Sequence, residues 1–116
     1  MPKYMLLLHD NIAAFATISP DQMQKVIEKY MAWGDKLRQK GVVQGGDKLT
    51  DEPGKVMRRK DGLVRVTDGP YSESKEVLGG YYMIEAAGYE QAIEYARDCP
   101  HLDYGGTIEV RQVDRM

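Results

Sequence analysis

The sequence is poor in the residues that support several common kinds of site. A single cysteine, Cys99, excludes an internal disulfide and a cysteine-based zinc site. The two histidines, His9 and His101, are far apart and form no spacing typical of metal ligands, so we expect no metal. The sequence also lacks a P-loop, a dinucleotide fingerprint and a nucleophile elbow, and we therefore expect no cofactor.

Strong charge of one sign and long apolar runs are also missing. The net charge of −2, with 29% charged residues, gives no reason to expect nucleic acid or an anionic membrane as a partner. The basic cluster Arg58–Lys60 is short and is typical of a solvated hairpin. The apolar run Tyr4–Leu8 is too short for a signal peptide or a membrane span, so we expect a cytoplasmic protein.

The length of 116 residues indicates one domain, covering residues 1–116. Its clearest helix start is Ser19–Gln22, where Ser19 is a good N-cap, Pro20 suits the first helical position and Gln22 completes a capping box. Apolar residues then recur at three- and four-residue steps, and Gly41 suits the C-terminal end. This pattern predicts a helix from about Pro20 to Lys40.

The remaining periodicities predict short strands, one hairpin and a second helix. Asp61-Gly62 is a strong hairpin signal, and we expect Val56, Leu63 and either Val64 or Val66 to pack against the main body. A helix over Glu90–Arg97 should turn Ala92, Ile93 and Ala96 inward. Without the hairpin, the element order is βαββαβ. The sequence therefore predicts an α+β, ferredoxin-like fold with an inserted β-hairpin.

The predicted sheet has apolar residues on both faces. Tyr4–Leu8 is continuously apolar, and so is Tyr81–Ile84. Two helices cover one face of such a sheet and leave the other without a covering layer. We therefore expect a homodimer in which the uncovered sheet faces pack together.

A dense motif lies in the middle of the chain. Asp68-Gly-Pro-Tyr71 is followed by Ser72-Glu-Ser-Lys-Glu76 and then by Leu78-Gly-Gly-Tyr-Tyr82. This run resembles the signature of the DGPF branch of the YCII-related family, with Tyr71 in place of the usual Phe. Cys99-Pro100, Gly105-Gly106 and Ile108–Arg111 are also similar to that family, so the resemblance covers essentially the whole chain.

The resemblance implies a ferredoxin-like domain that forms a dimeric α+β barrel. Some members of the branch accompany sigma factors, and the wider group includes a dechlorinating enzyme and resembles an isomerase. A catalytic His–Asp dyad is proposed for that group, with His in the first helix and Asp before a proline. This chain departs from that pattern, because Pro20–Lys40 contains no His and Cys99 precedes Pro100. The dyad is therefore not transferred.

The first group of candidate site residues lies in the loop after the hairpin. Pro70 and Asp68 favour a tight turn, which is a structural role. Loops on rigid scaffolds also carry function, so the loop is a candidate ligand contact. Its candidate residues are Asp68, Tyr71, Ser72, Glu73, Lys75 and Glu76.

The second group lies on the strands. His9 is a candidate general base, with a strand-end histidine of no catalytic role as the alternative. Glu85 is the second catalytic candidate, because it shares a strand face with Tyr81 and Met83. Glu85 with Glu109 or Arg111 would place polar groups in an apolar cavity, unless these residues form ion pairs at its rim. His101 is a further candidate, since a Cys99–His101 pair is one way to activate a thiol.

Two functions remain open at this point. One is a cofactor-free enzyme of the isomerase, lyase or dehalogenase kind that acts on a small organic molecule. The alternative is a non-catalytic binding or regulatory module linked to a sigma-factor or transcription system. The fold accommodates both, and a fold alone does not decide function.

Overall fold

A computed structural model describes residues 1–69 and 76–115, and within them it contains six β-strands, three α-helices and one 3₁₀ helix. The strands are β1 (Lys3–Asn11), β2 (Val43–Lys48), β3 (Lys55–Lys60), β4 (Leu63–Asp68), β5 (Glu76–Glu85) and β6 (Thr107–Gln112). The helices are α1 (Ile12–Ala16), α2 (Pro20–Gln39) and α3 (Tyr89–Arg97), and the 3₁₀ helix is Pro100–Tyr104.

Helix α2 begins and ends where its sequence predicts. The backbone N–H of Gln22 donates to Ser19 Oγ at 3.2 Å, and the N–H of Ser19 donates to Gln22 Oε1 at 3.0 Å. This reciprocal capping box satisfies two backbone donors that the helix itself leaves unpaired. Gly41 follows the C-cap with a φ of 73°, a conformation that suits glycine. No helix in the described ranges is both long and apolar enough to span a membrane.

The main sheet has four antiparallel strands in the order β2-β5-β1-β6. Strands β1 and β5 are central, and β2 and β6 are the edges. The two edges are reached by crossings that contain α2 and α3. This is the ferredoxin-like arrangement, so the predicted fold class is confirmed.

One face of the sheet is covered by helices and forms the core. Tyr4, Leu6 and Leu8 of β1 lie on this face with Ile84 of β5, and each is at most 5% exposed. Helices α2 and α3 close the core with a second set of buried side chains: Trp33, Leu37, Ala92 and Ala96. The prediction for α3 is correct for its two alanines and wrong for Ile93. That side chain is 43% exposed because it lies beside the core rather than over it.

The alternate residues of the same strands form the opposite face, which we call the open face. It is defined by Met5, Leu7, His9, Tyr81, Met83, Glu85, Glu109 and Arg111. Successive side chains of a strand point to opposite sides, and the pairing of Met5 with Met83 and of Leu7 with Tyr81 places these four residues together. All four remain partly exposed, whereas Leu6, Leu8 and Ile84 on the covered face are buried.

Strands β3 and β4 form a separate two-stranded sheet, the hairpin Lys55–Asp68. Asp61 and Gly62 have φ angles of 53° and 78°, so the predicted two-residue turn is confirmed. The predicted packing is confirmed only for Val56, which is partly buried. It is wrong for the other three residues named: Leu63, Val64 and Val66 are 66%, 47% and 56% exposed. Within the described residues, the hairpin projects from the main sheet and only Val56 of its two strands is partly buried.

Candidate functional site

A histidine and a carboxylate meet on the open face. His9 Nε2 lies 3.1 Å from Glu109 Oε1, and Arg111 Nε lies 3.9 Å from the other oxygen, Glu109 Oε2. Strands β1 and β6 create this contact because Leu7 pairs with Glu109. His9 is two residues further along β1, so its side chain is on the same face as that of Glu109. The structure therefore unites three of the residues that the sequence singles out.

The pair has the geometry of an oriented general base. A carboxylate only accepts hydrogen bonds, so the proton of neutral His9 lies on Nε2 and is donated to Glu109. The lone pair of the ring is then on Nδ1. A carboxylate that fixes the tautomer and orientation of a histidine is a recurrent feature of acid–base sites. The two side chains are 26% and 46% exposed, so a small molecule has access to them.

A second polar pair lies on the other side of the open face. Tyr81 Oη donates to Asp47 Oδ2 at 2.9 Å, because β2 and β5 place these residues directly opposite each other. The hydrogen bond to the Asp47 carboxylate raises the pKa of the Tyr81 phenol. Leu7 lies between the two polar pairs, and Met83 and Met5 lie in the next row of the same face. The open face is thus an apolar strip with acid–base groups on both sides, as small-molecule sites commonly are.

Behind the His9–Glu109 pair, on the covered side, lies a fully buried histidine. His101 is 1% exposed, and its Nε2 lies 2.7 Å from the backbone carbonyl of His9. Because a carbonyl only accepts, Nε2 carries the proton and Nδ1 accepts from Tyr30 Oη at 2.5 Å. Burial raises the pKa of the Tyr30 phenol, which keeps it a donor. His101 therefore anchors the end of β1 at His9, whose own imidazole is exposed on the open face.

Two glycines make room for this buried cluster. A Cβ at Gly106 would overlap the His101 ring, and a Cβ at Gly79 would overlap the Asp10 carboxylate. Gly79 is the extra residue at a β-bulge where the pairing of β1 and β5 shifts between Leu8 and His9. Asp10 Oδ1 lies 3.9 Å from His101 Nδ1. Desolvation raises the pKa of Asp10, and the nearby His101 opposes that shift.

Cys99 does not have the properties of an activated thiol. It is 1% exposed, and burial raises its pKa to about 11. A nucleophilic cysteine needs the opposite shift, because the thiolate is the reactive form. The nitrogens of His101 that the alternative would use are directed at Tyr30 and the His9 carbonyl instead. Cys99 is a core residue.

The structure does not bring Glu85 to His9. Glu85 pairs with Lys3, whereas His9 pairs with Leu78 at the other end of β5. At roughly 3.3 Å per residue, the two sites are about 20 Å apart along the strand. Glu76 is at the same end as His9, and its Oε1 accepts a hydrogen bond from Thr107 Oγ1 at 2.7 Å.

Of the loop candidates, Asp68 and Glu76 lie within the described residues. Asp68 ends β4 and forms an ion pair with Lys55 at the base of the hairpin, which is a structural role. The predicted ligand contacts at Tyr71, Ser72, Glu73 and Lys75 lie outside the described residues.

Sequence reasoning missed Tyr30 and Asp10, which lie beside the buried His101, and Asp47, which accepts the hydrogen bond from Tyr81. Tyr30 falls on the apolar stripe of α2, and that position indicates packing rather than a polar contact. Asp47 lies in a glycine-containing strand, where its partner depends on the register with β5. Asp10 follows His9 in the sequence, but the histidine that its carboxylate approaches is His101, 91 residues away.

Two cavities in the described part of the chain have linings that include neither His9 nor Glu109. One, of about 400 Å³, lies at the start of α2 beside Lys25, Lys29 and Tyr104. The other, of about 190 Å³, lies between α3 and β6. Both are open to solvent. Within residues 1–69 and 76–115, no group of three or more His, Cys, Asp or Glu side chains is arranged to hold a metal ion.

Comparison with known proteins gives a family and one relative. Residues 2–116 match the model of the YCII-related domain. The chain is also 27% identical, over 110 residues, to an uncharacterised protein of Rhizobium meliloti (strain 1021); the match covers 93% of this chain and 89% of the relative. The relative's name states no activity.

Proposed function

Since this chain belongs to the YCII-related family, we propose that two copies pair through their open faces and perform cofactor-free acid–base chemistry on a small organic molecule held between the sheets. The motif from Asp68 to Tyr82 further supports placing the chain in the DGPF branch. The observation that carries the proposal is the His9–Glu109 contact of 3.1 Å on a sheet face whose apolar residues Met5, Leu7 and Met83 remain partly exposed.

The apolar residues of the open face favour the pairing of two copies. Met5, Leu7, Tyr81 and Met83 lie side by side on the open face and remain partly exposed in the single chain. A second sheet packed about 10 Å away would remove this apolar surface from water. In a dimer with two-fold symmetry, the same patch forms both sides of the interface, because each copy presents the same residues to the other.

A partner sheet would also enclose the His9–Glu109 pair. In one chain, the side chains of His9 and Glu109 lie on the open face and are 26% and 46% exposed. A facing sheet supplies the missing wall and excludes water, which strengthens electrostatic interactions within the site. The site is therefore complete only in the pair of protomers.

The chemistry follows from the groups present. His9, with its proton directed at Glu109, accepts a proton through Nδ1 from an acidic C–H or O–H of the substrate and returns it to another atom. In an isomerisation that atom belongs to the same molecule. In an elimination it belongs to the leaving group, whose bond to carbon breaks as the new double bond forms. In both cases the neutral ring is regenerated within one turnover. The Met and Leu side chains favour an apolar, aromatic or carbonyl-bearing substrate.

The direct test is hydrogen–deuterium exchange at carbon. Wild-type protein is incubated in D₂O with a panel of small aromatic and cyclic carbonyl compounds, and NMR measures the loss of each C–H signal. We expect accelerated exchange for at least one compound, with a loss of at least 100-fold in His9→Asn, as general-base mutations typically give. Glu109→Gln should lose rate and shift the pH profile, and Glu85→Gln serves as the matched control on the same face.

The second candidate is a non-catalytic binding or regulatory module linked to transcription. The open shape of the described cavities favours it, because neither is an enclosed substrate pocket. Native mass spectrometry of protein from its own host separates the two. A retained small molecule that is not turned over, bound equally by wild type and His9→Asn, would favour the module and contradict the enzyme.

A further inference from the structure

The hairpin Lys55–Asp68 and the groove beside α3 are complementary surfaces on opposite edges of the same molecule. We propose that the hairpin is an arm that docks into the α3 groove of a second copy, with the exchange occurring twice in each pair. The α3 groove is the open cavity lined by Ile93, Ala96, Arg97, Leu102, Ile108 and Val110. This inference rests on the proposed pairing of the protomers and adds a second contact to it.

Most apolar side chains of the arm are exposed in the single chain. A two-stranded hairpin is at best marginally stable in water unless a face of it is buried. Met57 and Val66 face each other across the two strands and are 66% and 56% exposed. Of the twelve residues in β3 and β4, only Val56 is even partly buried. The arm therefore carries apolar side chains that become buried only against another surface.

Within the described residues, the groove exposes apolar side chains that lack a covering element. Helix α3 does not fully cover the edge strand β6, so Ile93 and Leu102 are 43% and 45% exposed beside Ile108 and Val110. Its volume of about 190 Å³ is below the roughly 300–1,000 Å³ of small-molecule pockets. An apolar groove of that size is suited to one large side chain, such as a methionine, rather than to a metabolite.

Charge complementarity selects a second copy as the occupant. The arm contains five Lys or Arg and two Asp, a net charge of +3, so the remainder of the chain, with a total of −2, carries −5. The segment from Tyr89 to Tyr104, which borders the groove, contains four acidic residues and one arginine, a net charge of −3. Arg97, the charged residue of the groove lining, is paired with Glu94, so the segment around the groove keeps its net negative charge and attracts the basic arm.

The topology explains why the contact is between copies. The arm leaves the sheet next to β2, and the groove lies at β6, the other edge. If the two sheets pack face to face with the two-fold axis along the strands, β2 of one copy lies over β6 of the other. The six-residue strands of the arm reach about 20 Å, which is enough to cross the ~10 Å between packed sheets and pass around the edge.

Disulfide trapping tests the contact directly. Chains carrying Met57→Cys and chains carrying Leu102→Cys are mixed, allowed to exchange and oxidised, and the cross-linked species are identified by mass spectrometry. Native Cys99 is buried and stays out of the reaction. We expect the mixed cross-link between positions 57 and 102 to exceed by at least tenfold that from Met31→Cys with Leu102→Cys. Met31, 62% exposed on α2, is a control of equal accessibility.

Two measurements on the same samples identify which idea fails. If the wild type sediments as a monomer, the pairing itself is wrong and the arm exchange falls with it. If it sediments as a dimer while the 57–102 cross-link does not exceed the control, only the arm exchange is wrong. A cross-link within one chain carrying both cysteines, at a yield independent of dilution, would show that the arm folds onto its own groove and would also overturn the proposal.

Discussion

The two faces of the four-stranded sheet are built from the same strands, yet they differ in what they bury. On the covered face, Leu6 and Ile84 are fully buried under the helices. On the open face, their neighbours Leu7 and Met83 are partly exposed. The covered face is packed for stability, and its buried histidine serves to hold β1. The open face keeps apolar groups and an accessible histidine–carboxylate pair at the surface, and the proposed pairing of two copies would cover them.

The largest expected difference between the faces is the response to truncation of adjacent leucines. Leu6→Ala removes a fully buried side chain and should lower the free energy of unfolding by about 3 kcal/mol at every protein concentration. Leu7→Ala should lower it only at concentrations where the protein is paired. Urea denaturation over a hundredfold range of concentration measures both. Equal, concentration-independent losses would remove the distinction between the faces.

The glycine next to the buried histidine tests the packing of the covered side. In Gly106→Ala the new methyl group meets the His101 ring, so we expect a loss of about 1–3 kcal/mol. Gly88→Ala is the matched control, because its Cβ would enter open space and its φ is extended. Thermal or urea unfolding of both variants gives the comparison. A Gly106→Ala protein as stable as the control would show that His101 is not held where the structure places it.

Tyr30→Phe tests the hydrogen bond to the same histidine. The substitution leaves the ring in place but removes the donor to His101 Nδ1, and an unsatisfied buried acceptor costs about 1–2 kcal/mol. Tyr104→Phe removes a hydroxyl that contacts Lys29 near the surface and should change the free energy of unfolding by less than about 0.5 kcal/mol. Equal effects of the two substitutions would contradict the assignment of the Tyr30 hydrogen bond.

The smallest effect concerns Asp10, at the boundary of the two faces, and it depends on pH. Because desolvation raises its folded-state pKa above the ordinary value of 3.8, ionised Asp10 opposes folding. The contribution is favourable below the unfolded pKa and is lost as the pH rises through the folded pKa. Asp10→Asn should therefore raise the urea midpoint at pH 7 and leave it unchanged near pH 3. A variant less stable than wild type at pH 7 would show that the carboxylate has a stabilising partner.

Local signals in the sequence were enough to predict most of the fold. The Ser19 capping box, the Asp61-Gly62 turn and the alternation of Ile108 and Val110 each depend on residues a few positions apart, and all three are present in the structure. Packing of the hairpin was mispredicted, because alternation in Leu63–Val66 shows that a strand has an apolar side but not what covers it.

The site was only partly predictable, because its contacts join distant parts of the chain. The sequence indicates His9 and Glu109 as separate candidates. The 3.1 Å contact between them joins residues that are 100 positions apart. The Tyr30–His101 and His101–His9 contacts span 71 and 92 residues, and no periodicity encodes them. The β-bulge at Gly79, which gives Asp10 its room, depends on the register between β1 and β5. Register and bulges are set by tertiary structure, so residue spacing along one strand does not predict them.

The central claim is that the open face is a protein interface and the covered face is not. Sedimentation equilibrium of the wild type and of Met83→Glu, with Met31→Glu as a control on the outer side of α2, tests it most directly. We expect a dimer at micromolar concentration for the wild type and for Met31→Glu, and a folded monomer for Met83→Glu. A wild type that is monomeric at that concentration, or a Met83→Glu protein that remains dimeric, would contradict the claim.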